Sequence, residues 1–179
     1  EFTTTQEAKS QFEVNFFGAV TVTRAVLPYM REQHSGRIVN ISSVAAVAHI
    51  PFQTYYSASK AAIESYTSCL DNEVKMYGIR VTAVEPGDIC TEFTGARQKS
   101  FEGDDVYGGR ISRSVAGMEK DEEKGMSPEI AGRYIAKVAL KKSVKPVSAI
   151  GASYKILSVM CKTFPCKFRN FVVGMLYAK

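Results

Sequence analysis

The chain of 179 residues is 45% hydrophobic and 23% charged with a net charge of +5, a composition that fits one globular domain rather than a disordered or fibrous chain. It has no apolar run of eighteen residues, so the sequence predicts no membrane-spanning helix. Its four cysteines lack the spacing of zinc ligands and it has only two histidines, so we predict no metal site and no serine-hydrolase triad, and we expect free thiols in a reducing cytoplasm.

The first predicted element is a helix from residue 5 to about residue 32. Thr4 and Glu7 have the spacing of a capping box, in which Thr4 is the N-cap and Glu7 the third helical residue. Pro28 is expected to kink the helix or to end its regular part, because proline removes a helical hydrogen bond.

A buried strand is predicted at 37–41, and Ser42 and Ser43 follow it. In an open parallel α/β sheet, ligands bind just beyond the carboxyl ends of the strands. The Ser43 hydroxyl is therefore a candidate hydrogen-bond donor to a substrate oxygen. The alternative is an ordinary turn or N-cap serine.

Tyr56 and Lys60 lie four residues apart at the start of a helix predicted over residues 54–77. One helical turn brings such residues onto the same face. A cation beside a phenol favours the phenolate and makes the phenol a usable proton donor and acceptor. The alternative is an exposed lysine near a half-buried tyrosine.

A second strand is predicted at 79–84, and it is followed by a Pro86-Gly87 turn that leads to Thr91. Such a turn leaves backbone N–H groups and the Thr91 hydroxyl available to a polar ligand. The alternative is an ordinary turn between a strand and a loop.

Residues 92–126 mix aromatic and charged side chains between this turn and the next helix, so we interpret them as a substrate lid. A surface loop is the alternative. Ser127 and Pro128 predict the start of that helix, a strand is predicted at 147–150, and a helical tail follows. Helices that alternate with strands predict a parallel sheet.

The last part of the chain is strongly basic. Residues 130–179 contain ten Lys or Arg and no Asp or Glu, whereas residues 1–129 contain 13 basic and 18 acidic residues. Residues 152–179 form a basic and apolar C-terminal extension. It is explained either by a helix that packs on the core or on a subunit, or by association with a membrane surface. No interleaved basic and aromatic pattern indicates nucleic-acid binding.

Four motifs in chain order resemble the C-terminal two-thirds of a short-chain dehydrogenase/reductase. They are Asn15 within Phe12-Glu13-Val14-Asn15-Phe16-Phe17-Gly18, Ser43 after Asn40-Ile41-Ser42, the Tyr56 and Lys60 pair, and Pro86-Gly87 with Thr91. The resemblance implies that residues 1–179 form the C-terminal portion of a single Rossmann-type domain. The implied fold is α/β, a partial doubly wound parallel sheet in three α/β/α layers.

The resemblance also implies residue roles in the interconversion of a secondary alcohol and a ketone by hydride transfer. Tyr56 would be the general acid or base, Lys60 would activate Tyr56 and hold the nicotinamide ribose, and Ser43 would hydrogen-bond the reacting oxygen. Asn15 would bend its helix and hold a water of the proton relay. The cofactor is expected to be NAD or NADP, and its predicted contacts are Asn15, Tyr56, Lys60, Pro86, Gly87, Ile89 and Thr91.

The Gly-rich turn that binds the cofactor pyrophosphate in this family is absent from the sequence. We therefore expect the 179 residues to be part of a longer protein and to be inactive alone. The full-length protein is expected to form a homodimer or homotetramer and to act on a hydrophobic alcohol or ketone. A non-catalytic binding protein of the same fold and a membrane-surface protein remain as alternatives.

Overall fold

The computed structural model describes residues 1–92, 95 and 100–178. The helices are α1 (Thr5–Phe12), α2 (Gly18–Glu32), α3 (Ala45–Ala48), α4 (Thr54–Val74), α5 (Arg110–Glu123), α6 (Pro128–Leu140), α7 (Ala152–Thr163) and α8 (Cys166–Tyr177). The strands are β1 (Gly36–Ile41), β2 (Ile79–Glu85) and β3 (Val147–Ala149). A π-helical stretch (Glu13–Phe17) joins α1 to α2, and a 3₁₀ turn (Lys75–Tyr77) follows α4.

The three strands form a parallel sheet in the order β1-β2-β3, as the alternation of strands and helices predicts. Ile41 at the end of β1 is level with Val84 near the end of β2. The Ser42 N–H then donates to the Val84 carbonyl at 2.8 Å. The segments that follow β1 and β2 consequently begin side by side at the carboxyl end of the sheet.

Helices cover both faces of the sheet. Neighbouring residues of a strand point to opposite faces. In β1, Asn40 donates to the Thr67 hydroxyl of α4 at 2.8 Å, whereas Val39 packs against the apolar cluster that includes Ala131 and Val138 of α6. The fold is thus α/β with a parallel sheet flanked by helices, as predicted.

The first predicted helix is present as α1, the π-helical stretch and α2. The Thr4 and Glu7 capping box is formed, which confirms the predicted start. Pro28 lies inside α2, and the helix continues beyond it to Glu32. The departure from α-helical geometry is the π-helical stretch around Asn15, the residue that the resemblance implies bends this helix. Such stretches are frequent at functional sites.

The predicted lid region contains a helix that the sequence pattern did not reveal. In α5, Ser114 and Met118 are buried, four residues apart on one face of a largely polar helix. So few apolar residues give a weak periodic signal. Residues 93, 94 and 96–99 of the predicted lid lie outside the described residues.

The C-terminal extension consists of α7 and α8, which pack on the segment after β1. Val44 and Ala48 form a buried apolar cluster with Cys161 of α7 and Val173 of α8. Over the part of the chain that the structure covers, no helix is both long and apolar enough to cross a membrane.

Candidate active site

Tyr56 and Lys60 lie together on the first turns of α4. The Lys60 Nζ atom is 5.8 Å from the centre of the Tyr56 ring, and it donates to the Ile41 carbonyl at 3.0 Å. Burial lowers the pKa of the Lys60 ammonium below its ordinary value. The helix therefore holds a cation next to a phenol, directly beside the carboxyl end of β1.

Asn15 is bound to the same turn of α4. Its side-chain amide donates to the Ser59 hydroxyl at 3.1 Å, and that hydroxyl donates to the Tyr56 carbonyl at 2.8 Å. Ser59 is fully buried. The π-helical stretch is thus connected through one serine to the helical turn between Tyr56 and Lys60.

Ser43 and Ser42 lie at the carboxyl end of β1 and have different partners. The Ser43 Oγ accepts a hydrogen bond from the Ala45 N–H at 3.2 Å, which is the turn role considered as an alternative. This contact uses a lone pair and leaves the Ser43 hydroxyl proton available for donation. The buried Ser42 hydroxyl lies 2.7 Å from the Glu64 Oε1 atom and 3.1 Å from the Lys60 carbonyl.

The turn after β2 lies against the segment after β1. The Pro86 carbonyl accepts from the Val44 N–H at 3.0 Å. Beyond the turn, Ile89 pairs in a parallel bridge with Met126, at the end of the predicted lid. Thr91 is exposed.

Gly87 lies under the ring of Tyr154, the third residue of α7. A Cβ atom at Gly87 would be 2.3 Å from ring carbons of Tyr154, so only glycine fits below that ring. The Tyr154 hydroxyl donates to the Asp88 carboxylate. Burial raises the pKa values of both Asp88 and Tyr154. These two residues were missed by sequence reasoning, because they are 66 positions apart in the chain.

Two acidic residues below the site were also missed. Glu85, the last residue of β2, has no exposed surface and accepts hydrogen bonds from Ser158 and Lys162 of α7. Glu64 follows Lys60 by one helical turn and accepts from Ser42. The four-residue spacing of Lys60 and Glu64 is a signal that could have placed Glu64 near the site.

The donor groups at the strand ends suit the ribose of a nicotinamide nucleotide. A lysine ammonium has three N–H donors, and in Lys60 one of them is directed to the Ile41 carbonyl, so two remain for ribose hydroxyls. Within residues 1–92, 95 and 100–178, no group of three or more His, Cys, Asp or Glu side chains could hold a metal ion. A phenol, an ammonium and a hydroxyl at one sheet edge can transfer protons to and from a bound carbonyl or alcohol.

Comparisons with known proteins agree with this arrangement. A model of the short chain dehydrogenase family matches residues 1–101. The 3-ketodihydrosphingosine reductase of Bacteroides thetaiotaomicron is 37% identical over 181 residues, which cover 99% of this chain and 67% of that protein.

Solved structures give the same result. A short-chain dehydrogenase from Streptomyces avermitilis superimposes with a TM-score of 0.74 at 30% identity, over 88% of this chain and 57% of that one. A Brucella melitensis 3-oxoacyl-[acyl-carrier protein] reductase with bound NAD gives a TM-score of 0.62 at 25% identity, over 83% of this chain and 52% of that one. A Burkholderia cenocepacia short chain dehydrogenase in complex with NADP has the same fold, with a TM-score of 0.66 at 22% identity over 94% of this chain and 60% of that one.

The chain therefore spans a little over half of the length of these solved structures. The family model covers more than half of the chain, and the Bacteroides relative is similar over nearly all of it. From these matches and from the parallel sheet with its Tyr56 and Lys60 site, we conclude that the chain belongs to the short-chain dehydrogenase family of oxidoreductases.

Proposed function

We propose that this chain provides the proton-transfer site of an enzyme that interconverts a secondary alcohol and a ketone with NAD or NADP. The observation that carries the proposal is the position of the Lys60 Nζ atom. It lies 5.8 Å from the Tyr56 ring and 3.0 Å from the Ile41 carbonyl, so the cation and the phenol lie beside the strand end that leads to Ser43.

In this mechanism Tyr56 donates a proton to the substrate oxygen during reduction and accepts it during oxidation. The positive charge of Lys60 stabilises the phenolate that reduction leaves on Tyr56. The Ser43 hydroxyl donates a hydrogen bond to the same substrate oxygen and orients it. Asn15 acts through Ser59, which holds the turn between Tyr56 and Lys60 in place.

The cofactor, when bound, supplies or accepts the hydride. Lys60 and Tyr56 would hold its ribose hydroxyls, with Asn15 near them. The turn after β2 would contact its nicotinamide end through Pro86, Gly87, Ile89 and Thr91. Support for this cofactor class comes from the NAD and NADP bound to the solved relatives.

A ketone with a long apolar chain is the substrate class that we propose. The 37% identical relative is named as a reductase of 3-ketodihydrosphingosine. Tyr107 of the predicted lid is in edge-to-face contact with Phe52, with 5.9 Å between the ring centres. An apolar chain could be buried against such rings.

The mechanism is tested by replacing Tyr56 with Phe in the full-length protein. Ketone reduction is followed as consumption of NADH or NADPH over a series of 3-ketones of increasing chain length. Loss of general acid catalysis should lower kcat about 10²- to 10⁴-fold. The adjacent exposed Tyr55 gives the matched control, since Tyr55→Phe removes a hydroxyl outside the site and should keep kcat within about twofold. Reduction by Tyr56→Phe at the rate of the Tyr55→Phe control would contradict the mechanism.

A role at a membrane surface is a second candidate. The outward faces of α7 and α8 are apolar, because Ile156 and Val159 of α7 and Phe168, Phe171 and Met175 of α8 are all at least 45% exposed. Residues 130–179 contain no acidic side chain that would repel an anionic lipid surface. The same two helices pack on the segment after Ser43, so this face would place the site close to a lipid-borne substrate.

A further inference from the structure

A pair of carboxyl groups lies below the site, between β2, α4 and α7. Glu85 is completely buried, and its two oxygens accept from the Ser158 hydroxyl at 2.6 Å and the Lys162 ammonium at 2.5 Å. Glu64 is half-buried, and its Oε1 atom accepts from the Ser42 hydroxyl at 2.7 Å. Ser42 and Glu85 directly follow the paired residues Ile41 and Val84, so the Glu64 and Glu85 carboxyl groups are neighbours. Two neighbouring carboxyl groups favour a proton on one of them, because two carboxylates would repel each other.

The charges of this cluster balance when Glu64 carries that proton. The groups that face Glu64 are Ser42, which follows β1, Glu85 from β2 and Lys162 from α7. With Glu64 protonated, the negative charge of Glu85 is matched by Lys162, and the Glu64 hydroxyl can donate to Glu85. Without the proton, two carboxylates face one ammonium, and Glu85 is fully buried, which is unfavourable.

The cluster is connected directly to the proposed catalytic groups. The Ser42 hydroxyl contacts both the Glu64 carboxyl and the Lys60 carbonyl, and the Lys60 ammonium contacts the Ile41 carbonyl. Ser42 immediately precedes Ser43. A movement of Glu64 would therefore change the position of the strand end relative to the helix that carries Tyr56 and Lys60.

We propose that Glu64 is a positioning residue, whose protonated carboxyl joins Ser42 to Glu85 and so holds the end of β1 in register with α4. Loss of the proton breaks the contact with Glu85 and loosens the end of β1. This inference rests on the proposed function, because its effect on catalysis is exerted through Ser43 and Lys60. It adds a role for α7, whose Lys162 and Ser158 hold Glu85 in place.

Glu64 changes between its protonated and ionised forms within the physiological pH range. Burial, together with the neighbouring Glu85, raises the pKa of Glu64 to about 7. Activity should consequently carry an ionisation near pH 7 that belongs to Glu64 and lowers kcat as the pH rises. Nearby positive charge from Lys162 lowers the pKa of Glu64, so removal of Lys162 should move this ionisation to higher pH.

The test compares kcat and KM of the full-length wild type and Glu64→Gln between pH 5.5 and pH 9. The Gln amide can donate to Glu85 and accept from Ser42 at every pH, as the protonated acid does. We expect the ratio of kcat for Glu64→Gln to that of the wild type to rise at least about threefold between pH 6 and pH 8, with KM unchanged. Glu73→Gln on the exposed side of α4 is the control and should follow the wild type. Superimposable pH profiles of wild type and Glu64→Gln would overturn the proposal.

Two further measurements keep the proposal open to refutation if Glu64→Gln is inactive or poorly folded. Lys162→Met should move the alkaline limb of the kcat profile to higher pH, and an unmoved limb would contradict the proposal. Thermal unfolding provides a readout that needs no activity. A raised folded pKa means that the folded state retains a proton that the unfolded chain has lost, so this contribution to stability falls as the pH rises from about 4.5 to about 7.

In Glu64→Gln that fall in Tm should be absent, and an equal fall in both proteins would reject the role of Glu64. If Tyr56→Phe retained wild-type activity while the unfolding data followed this expectation, the proposed function would be wrong and the carboxyl pair would stand. If Tyr56→Phe lost activity and the unfolding data did not follow this expectation, only the proposed role of Glu64 would be rejected.

Discussion

Asp71, near the end of α4, should be among the polar residues whose loss costs most stability. One of its carboxylate oxygens accepts from the Val81 N–H at 2.8 Å and from the Arg80 Nε at 3.0 Å, and the other accepts from the Arg80 Nη2 at 3.2 Å. Asp71 is 7% exposed and Val81 is fully buried. These bonds fix the C-terminal part of the helix that carries Tyr56 and Lys60 against the start of β2.

The cost of Asp71→Ala can be estimated from these contacts. The buried Val81 N–H would lose a charged acceptor, which costs about 1.5–3 kcal/mol. The ion pair with Arg80 adds only about 0–1 kcal/mol, because the Arg80 side chain is 36% exposed to solvent. We therefore expect a loss of about 3 kcal/mol in the free energy of unfolding, or about 6–12 °C in Tm for a domain of this size.

Urea denaturation of wild type, Asp71→Ala, Asp71→Asn and Arg80→Ala measures these quantities. Asp71→Asn keeps an oxygen acceptor for Val81 and should cost about half as much as Asp71→Ala. Arg80→Ala removes the ion pair but keeps the backbone contact, so it should cost no more than about 1 kcal/mol. An Arg80→Ala protein as unstable as Asp71→Ala would refute the assignment of the stability to the buried N–H group.

The pH dependence gives a second check on the same carboxylate. Burial alone would raise the pKa of Asp71, but the Arg80 and Val81 hydrogen bonds and the Arg80 charge outweigh burial and hold it below its ordinary value. A depressed folded pKa gives stability that is present above the unfolded value of about 3.9 and is lost as the pH falls through the folded value. The difference between wild type and Asp71→Ala should be constant near neutral pH and should narrow below about pH 4.

Two other predictions concern the surroundings of the site. Gly87→Ala should displace the Tyr154 ring, and it should therefore weaken cofactor binding several-fold in titrations with NADH or NADPH and lower Tm. Gly117→Ala is the control, because no atom lies within 4 Å of its new Cβ; it should leave cofactor binding unchanged and leave Tm unchanged or slightly raised. The full-length protein should float with phosphatidylcholine vesicles that contain phosphatidylserine, and less well with vesicles of pure phosphatidylcholine. The double variant Phe168→Ser, Phe171→Ser should not float. Equal flotation of the wild type and the double variant would contradict the membrane-surface role.

The parts of the fold that depend on local sequence could be predicted. The strands begin and end within about one residue of their predicted limits, because each is a short apolar run bounded by turn residues. The start of the first helix follows from the side-chain contacts of its own capping box. Tyr56 and Lys60 were brought together correctly, since a helix fixes the relation of residues four apart.

The parts that depend on tertiary contacts could not be predicted. The resemblance implies a bend at Asn15, but no local sequence pattern of Glu13–Phe17 indicates its π-helical form, and the contact of Asn15 with Ser59 joins residues 44 positions apart. In the same way, Glu85 reads as a strand-end acid in the sequence. Only the packing of α7 on the sheet shows that Ser158 and Lys162 surround it.

The connection between Glu85 and Lys162 also has a consequence for the order of folding. The contacts of Lys60 with Ile41 and of Ser42 with Glu64 close loops of 19 and 22 residues, whereas the Glu85 contact closes one of 77. Closure of a longer loop costs more chain entropy, and non-local contacts generally form late. We expect the phenol and the ammonium to come together first. Until α7 docks, the side chain of Glu85 at the end of β2 would remain hydrated. The active site would therefore reach its working charge state only when the last helices of the chain have packed.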